Sequence, residues 1–79
     1  MQIMASTPLR QMRESLQPDV SQEAMARNAN VSLLTYRRAE NGGNTSYTTA
    51  NAILKAINAE LQKRSQPTVD LDDLGLKIV

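Results

Sequence analysis

The 79-residue chain contains no cysteine, no histidine, no tryptophan and no phenylalanine. Without cysteine it can form neither a disulfide nor a reactive thiolate. Without histidine it lacks the most common zinc ligand and the most common general base. Neither a phosphate-cradling glycine loop nor a credible pair of catalytic carboxylates compensates for these absences. The composition therefore predicts a protein that is not an enzyme and that uses no metal and no cofactor.

Long apolar runs are also missing from the chain. No apolar segment approaches the ~20 residues that cross a membrane, and residues 1–4 are too short and too weakly apolar for a signal peptide. We therefore expect a cytoplasmic protein without a membrane partner. Two tyrosines are the only aromatic residues, so the core of this small domain must be largely aliphatic, which favours packed helices over a β fold.

The formal net charge is only +1, which argues against a highly basic protein that coats nucleic acid without reading its sequence. The charges are nevertheless unevenly distributed. The first half of the chain carries five arginines, Arg10, Arg13, Arg27, Arg37 and Arg38. Near the C-terminus lie three acidic residues, Asp70, Asp72 and Asp73. We interpret this acidic group as a solvated turn, because three carboxylates in four residues rarely form a cation site by themselves.

Capping residues predict two outer helices. Ser6 or Thr7 can cap the first helix, which must end near Pro18 because the residue before a proline disfavours helix. Ser46 can cap a longer helix over about 47–63, whose apolar residues recur at helical spacing.

The segment between these helices is typical of a helix-turn-helix. Ser21 caps a helix over about 21–28, and Ser32 caps a second over about 33–40. Asn30 lies at the turn between them, where asparagine is the best non-glycine residue for a left-handed backbone. Two short helices joined by a tight turn are the layout of a DNA-binding unit, with the second helix entering the major groove.

By these residues the chain resembles the Cro/C1-type helix-turn-helix family, also called the Xre family, over about residues 8–61. The resemblance is carried by Leu9-Arg10-x-x-Arg13, Ser21-Gln22-Glu23-Ala24-Met25-Ala26, Val31-Ser32-x-x-Thr35, Glu40-Asn41-Gly42 and Thr49-Ala50…Ile53…Ala56-Ile57. It implies an all-α, compact, four- to five-helix, lambda-repressor-like domain over residues 1–64. We expect residues 65–79 to be a short tail that either covers the core or forms a dimer surface.

The tail has its own weak pattern. Residues 69–74 could form one helical turn that Gly75 stops, and residues 76–79 alternate as a short strand would. Its apolar residues are the candidates for covering the core or for pairing with a second copy: Leu71, Leu74, Leu76, Ile78 and Val79.

The resemblance also implies roles for individual residues. The expected DNA-binding set is Gln22, Ser32, Leu33, Leu34, Thr35, Arg37 and Arg38. Within it, Gln22 and Thr35 fall at positions that contact the DNA backbone, and the leucines and arginines fall on the side that faces the groove. Arg13 and Glu40 match an internal ion pair of the family, while Tyr36 and Ala39 should point into the core.

Three features depart from the family pattern. The link before Ser21 is longer than usual, Asn30 replaces the common turn glycine, and Leu33 and Leu34 stand where polar base-reading residues are more frequent. The leucines could contact thymine methyl groups, could belong to a protein interface, or Leu34 could enter the core. Arg38 could bind a guanine edge through two hydrogen bonds, or one of the two arginines could bind phosphate. The alternative is that both belong to a solvated helix face.

Two functions follow as hypotheses. The first is a sequence-specific regulator that binds double-stranded DNA as a homodimer and represses transcription by occupying an operator. The second is an antitoxin-like or anti-regulator protein, whose main partner is a toxin or another regulator. In that case Leu33 and Leu34, or the apolar tail, would form the protein contact.

Overall fold

In a computed structural model that describes residues 7–79, four α-helices account for most of the chain. They are α1 (Pro8–Ser15), α2 (Gln22–Ala29), α3 (Leu33–Glu40) and α4 (Tyr47–Lys63). The predicted all-α, lambda-repressor-like class is confirmed. No helix within residues 7–79 is long and apolar enough to cross a membrane. Ser6 as a cap lies outside the described residues.

Each helix begins at a hydroxyl side chain. Thr7, Ser21, Ser32 and Ser46 all have extended backbones, and each side-chain oxygen accepts a hydrogen bond from the backbone N–H three residues later. Such a cap contributes about 1 kcal/mol, which matters most for α1, α2 and α3 because each has only eight residues.

The turn between α2 and α3 depends on Asn30. Its backbone is left-handed, with φ 59° and ψ 42°, and its N–H donates to the carbonyls of Ala26 and Arg27. The prediction of a left-handed turn at this asparagine is confirmed. Val31 then packs against the core and holds the turn to it.

The core lies between α2, α3 and α4 and is closed by α1 and the C-terminal segment. It is almost entirely aliphatic, as the composition predicts. Its buried members are Leu9, Leu16, Met25, Ala26, Ala29, Tyr36, Ala39, Ile53, Ala56, Ile57, Leu61 and Leu74. The small alanines of α2 and α4 allow these helices to pack closely.

The C-terminal segment returns across the helices. A 3₁₀ turn (Leu71–Leu74) is followed by strand β2 (Lys77–Ile78), which pairs in parallel with β1 (Asn44–Thr45). Gly75 has a φ of +64°, and a Cβ there would lie 2.4 Å from the ring of Pro8. A glycine is therefore needed where this segment passes the start of α1.

The apolar residues of this segment divide into two groups. Leu74 is fully buried, and Leu71 and Leu76 pack against the core. Ile78 and Val79 remain 40% and 74% exposed. The first group covers the core, and among the described residues of this segment the apolar side chains of the second group are the exposed ones.

A buried carboxylate on α4 joins α2 to the end of α4 and, through Arg64, to the loop after α1. Glu60 accepts hydrogen bonds from Asn28 of α2 (3.3 Å), Lys63 (3.2 Å) and Arg64 (2.9 Å). Arg64 also donates to the backbone carbonyls of Gln17 and Pro18. The hydrogen bond from Arg64 is the main reason that the pKa of Glu60 lies below its ordinary value.

Candidate nucleic-acid interface

Helix α3 has one face in the core and one face on the surface. Tyr36, Ala39 and Glu40 are buried, which agrees with the expected inward direction of Tyr36 and Ala39. Leu34, Arg37 and Arg38 are exposed. These three residues are spaced i, i+3 and i+4, so they form one stripe along the helix, which we call the exposed stripe.

The two leucines at the start of α3 have different surroundings. Leu33 is half-buried and packs against the core, whereas Leu34 is 67% exposed. Of the alternatives left open by the sequence, entry of Leu34 into the core is excluded by this exposure. The side chain of Leu34 is therefore available to a thymine methyl group or to a protein.

A buried carboxylate supports the inner side of α3. The side chain of Glu40 is fully buried and accepts four hydrogen bonds. Arg13 of α1 binds both carboxylate oxygens, at 2.6 Å through Nε and 3.3 Å through Nη2. The hydroxyl of Tyr36 donates at 2.7 Å and the side-chain amide of Gln22 at 2.9 Å. The Glu40 cluster, as we call these four residues, joins α1, α2 and α3.

The ionisation of the Glu40 cluster follows from these contacts. Burial alone would raise the pKa of Glu40, but hydrogen bonds from Arg13, Tyr36 and Gln22 outweigh burial and keep that pKa below its ordinary value. The hydrogen bond to Glu40 likewise raises the pKa of Arg13. Burial, together with the adjacent carboxylate, raises the pKa of Tyr36. Glu40 is therefore a carboxylate and Tyr36 a neutral hydrogen-bond donor at neutral pH.

Gln22, the first residue of α2, lies between the Glu40 cluster and the exposed stripe. Its Nε2 donates to Glu40, while its Oε1 accepts a hydrogen bond of 3.3 Å from Nε of Arg37. Both polar atoms of the side chain thus have a protein partner. The family resemblance suggested a backbone-contact position here but did not indicate this connection.

The neighbouring arginines differ in their contacts. Arg37 is held by Gln22. Arg38, within residues 7–79, has no side-chain hydrogen bond or ion pair, but its aliphatic stem lies against Gly43. A Cβ at Gly43 would approach Cγ of Arg38 to 2.6 Å. Nothing in the Gly42-Gly43 pair of the sequence indicates which side chain needs the space at Gly43.

Ser32 and Thr35 form the start of α3. The hydroxyl of Ser32 donates to Oγ1 of Thr35 at 2.8 Å and accepts from the Thr35 N–H at 3.1 Å. At the other end of α3, the hydroxyl of Thr7 donates to the backbone carbonyl of Glu40 at 2.8 Å. Both ends of α3 are therefore held by hydroxyl contacts, a local one at its start and one from the first residue before α1 at its end.

The acidic residues near the C-terminus form a turn. The carboxylate of Asp73 accepts a hydrogen bond of 2.9 Å from the backbone N–H of Asp70, and both residues belong to a capping box. Asp72 is exposed. Residues 7–79 contain no cluster of acidic residues that could hold a metal ion.

Comparison with known proteins relates the chain to a helix-turn-helix family. A family model described as helix-turn-helix matches residues 9–63, which include all of the Glu40 cluster and the exposed stripe. Searches of curated proteins and of solved structures give no match.

Proposed function

The chain belongs to the Cro/C1-type helix-turn-helix family of DNA-binding regulators, and on this premise we propose that it is a repressor. It binds a specific operator in double-stranded DNA through the major groove and thereby blocks transcription. The observation that carries this proposal is the exposed stripe of α3, because a helix held firmly on its inner face presents two cations and one apolar side chain outward.

In this proposal the residues of the exposed stripe contact different parts of the DNA. Arg38 has no side-chain hydrogen bond or ion pair within residues 7–79, and its guanidinium binds the O6 and N7 atoms of a guanine. Leu34 contacts a thymine methyl group. Arg37 binds a phosphate next to the start of α2, where Gln22 holds it. Ser32 and Thr35 lie at the start of α3 and contact the DNA backbone.

The repressor acts as a homodimer in this proposal. We propose that the outer edge of β2 pairs with β2 of a second copy. The two strands would be antiparallel and related by a two-fold axis. Directly after β2, the N–H of Val79 donates to the backbone carbonyl of Thr45 in β1 at 3.1 Å. The N–H and C=O of Ile78 therefore point away from β1, as alternation along a parallel pair requires. Ile78 and Val79 are exposed there, and Tyr47 follows β1 and is 61% exposed. Two-fold symmetry would then match two operator half-sites.

A second function has one observation in its favour. An apolar side chain as exposed as Leu34, at 67%, would also suit a protein contact. In this alternative the chain is an antitoxin-like or anti-regulator protein, and its main partner is a toxin or another regulator.

DNA selection with the purified protein at physiological salt tests the proposal. We expect a two-fold symmetric consensus, and an affinity for it that falls steeply as salt rises because arginine contacts to phosphate release counterions. Absence of any enriched sequence, together with tight binding to a copurifying protein, would support the alternative instead.

The Arg38→Ala variant tests the assignment of base readout. Removal of a two-hydrogen-bond contact to guanine should cost about 1–3 kcal/mol of affinity for the best operator and relax the preference at one base pair. Exposed Lys55 on α4 offers a control, since Lys55→Ala should leave affinity and preference unchanged. An Arg38→Ala protein with the same selected consensus as the parent would refute this role.

A further inference from the structure

We infer that Gln22 is a positioning residue, which transmits the position of the buried Glu40 carboxylate to Arg37 and so holds that arginine ready for DNA. This inference rests on the proposed DNA-binding function. It changes the role expected for Gln22 itself, because a side chain with two protein partners differs from one that is free to hold a phosphate.

The connection runs from the interior to the surface in three hydrogen bonds. Arg13 binds Glu40 at 2.6 Å, Gln22 binds the same carboxylate at 2.9 Å, and Arg37 binds Gln22 at 3.3 Å. Exposure increases along this path, from the fully buried Glu40 side chain through half-buried Gln22 to exposed Arg37. Each group in the path is therefore held by the one beneath it.

The charges at the two ends determine how the Gln22 amide is oriented. Glu40 carries negative charge and requires a donor, so it takes the amide nitrogen. Arg37 has only N–H donors and requires an acceptor, so it takes the amide oxygen. The reverse orientation would place oxygen against the carboxylate and N–H groups against the guanidinium. A glutamine in one orientation satisfies both neighbours, which neither an acid nor a base at this position could do.

This arrangement reduces the side-chain conformational entropy that Arg37 loses when it binds DNA. A free arginine side chain samples many rotamers, and immobilising them opposes binding. Nε of Arg37 is already held by Gln22, and the two terminal nitrogens of the guanidinium have no hydrogen-bond partner among the described residues, which leaves them to a phosphate. Arg38 lacks such a partner within residues 7–79, which makes it an internal reference for an untethered arginine on the same helix.

A double-mutant cycle tests the coupling. Gln22→Met retains the length of the side chain but removes both hydrogen bonds, and Arg37→Ala removes the cation. The two variants, their combination and the parent are compared for affinity to the selected operator across a range of salt, well below the unfolding temperature of each. Gln62→Met, at an exposed glutamine of α4, is the matched control.

Three results are expected. Gln22→Met should weaken operator binding about three- to tenfold in the parent and not at all in the Arg37→Ala background. A coupling of this size lies within the range found for residues in one hydrogen-bond network. The dependence of affinity on salt should decrease in Gln22→Met towards that of Arg37→Ala, since a neutral amide alone would not change it. Gln62→Met should match the parent.

A measurement without DNA tests the inference separately. In the free protein, the Nε–H proton of Arg37 should exchange with water more slowly than that of Arg38, and Gln22→Met should remove this difference. Additive losses of affinity in the cycle, or equal exchange of Arg37 in parent and variant, would overturn the inference alone. Failure of the parent to bind any selected DNA would overturn the proposed function, and with it the role of Gln22 in DNA binding.

Discussion

The two buried glutamates of this protein use similar chemistry in different places. Glu40 and Glu60 each accept hydrogen bonds from an arginine and a side-chain amide, and each has a pKa below its ordinary value. They differ in what their partners touch. The partners of Glu60 hold α2, α4 and the loop after α1, whereas one partner of Glu40 also holds Arg37 on the exposed stripe.

This difference separates stability from function. A change at Glu60 can weaken the fold without affecting the exposed stripe of α3. A change at Glu40 should affect both the stability of the fold and the exposed stripe. The same carboxylate holds the start of α2, the end of α3 and, through Gln22, an arginine of the proposed interface. Comparable ion pairs thus have different consequences, which depend on whether their hydrogen bonds continue to a surface that binds something.

Removal of Glu40 should have the largest effect. Glu40→Ala leaves the nearly buried guanidinium of Arg13 without its buried counter-charge, and only the half-exposed carboxylate of Glu14 remains at 3.9 Å. This loss should lower the free energy of unfolding by about 3–5 kcal/mol. Chemical denaturation measures this loss, and a DNA titration on the fraction that remains folded should give weaker binding. An unfolding free energy within error of the parent would contradict the account of the Glu40 cluster.

Removal of Glu60 should have a smaller effect, confined to stability. Glu60→Ala breaks the contacts with Asn28 and Arg64, and we expect a loss of about 2 kcal/mol, less than at Glu40 because its carboxylate accepts fewer charge-assisted bonds. Operator affinity at low temperature, where the variant is folded, should equal that of the parent. A loss of affinity comparable to that of a Glu40 variant would remove the distinction between the two sites.

Acid should destabilise the protein through both glutamates. Each has a lower pKa in the folded protein than in the unfolded chain, so the unfolded chain binds more protons and the free energy of unfolding rises with pH. The stabilisation is therefore present above about pH 4.3, the ordinary glutamate pKa, and is lost as pH falls below it. Glu40→Gln and Glu60→Gln should each flatten this decline in denaturation measured from pH 6 to pH 3. A decline as steep as the parent's in both variants would refute this explanation.

The exposed ion pair of α1 should matter least. Arg10 and Glu14 lie 3.2 Å apart with side chains 39% and 52% exposed, and such a pair on a helix surface contributes about 0.3–0.5 kcal/mol. Arg10→Ala should therefore change the unfolding free energy by no more than this, and less at high salt. A loss as large as that of Glu60→Ala would mean that burial does not separate strong from weak pairs here.

Local sequence signals predicted most of the helices. Hydroxyl residues with an extended backbone begin all four, and the observed bounds of α2 and α3, Gln22–Ala29 and Leu33–Glu40, lie within about one residue of the expected ranges. Asn30 indicated the turn for the same reason, since its left-handed backbone is a local preference. Signals of this kind act over one helical turn and need no knowledge of the rest of the fold.

Other features were not predictable because they join distant parts of the chain. Nothing in the pattern of residues 76–79 indicated that β2 would pair with β1, more than thirty residues earlier. The Glu60 contacts with Asn28, and those of Arg64 with Gln17 and Pro18, were missed for the same reason. The different burial of Leu33 and Leu34 also depended on how α3 is rotated against the core.

The sequence by itself determined the class of this protein, the positions of its helices and the pairing partners Arg13 and Glu40. Caps, apolar spacing and family motifs can be identified from short segments of the chain without knowledge of the fold. Tertiary structure alone decided how these pieces are connected. It brought Gln22 between Glu40 and Arg37, left Arg38 without a side-chain partner among the described residues, and exposed Ile78 and Val79 while it buried Leu74. The physical reason is that hydrogen bonds and burial depend on distances across the fold, which no local pattern specifies.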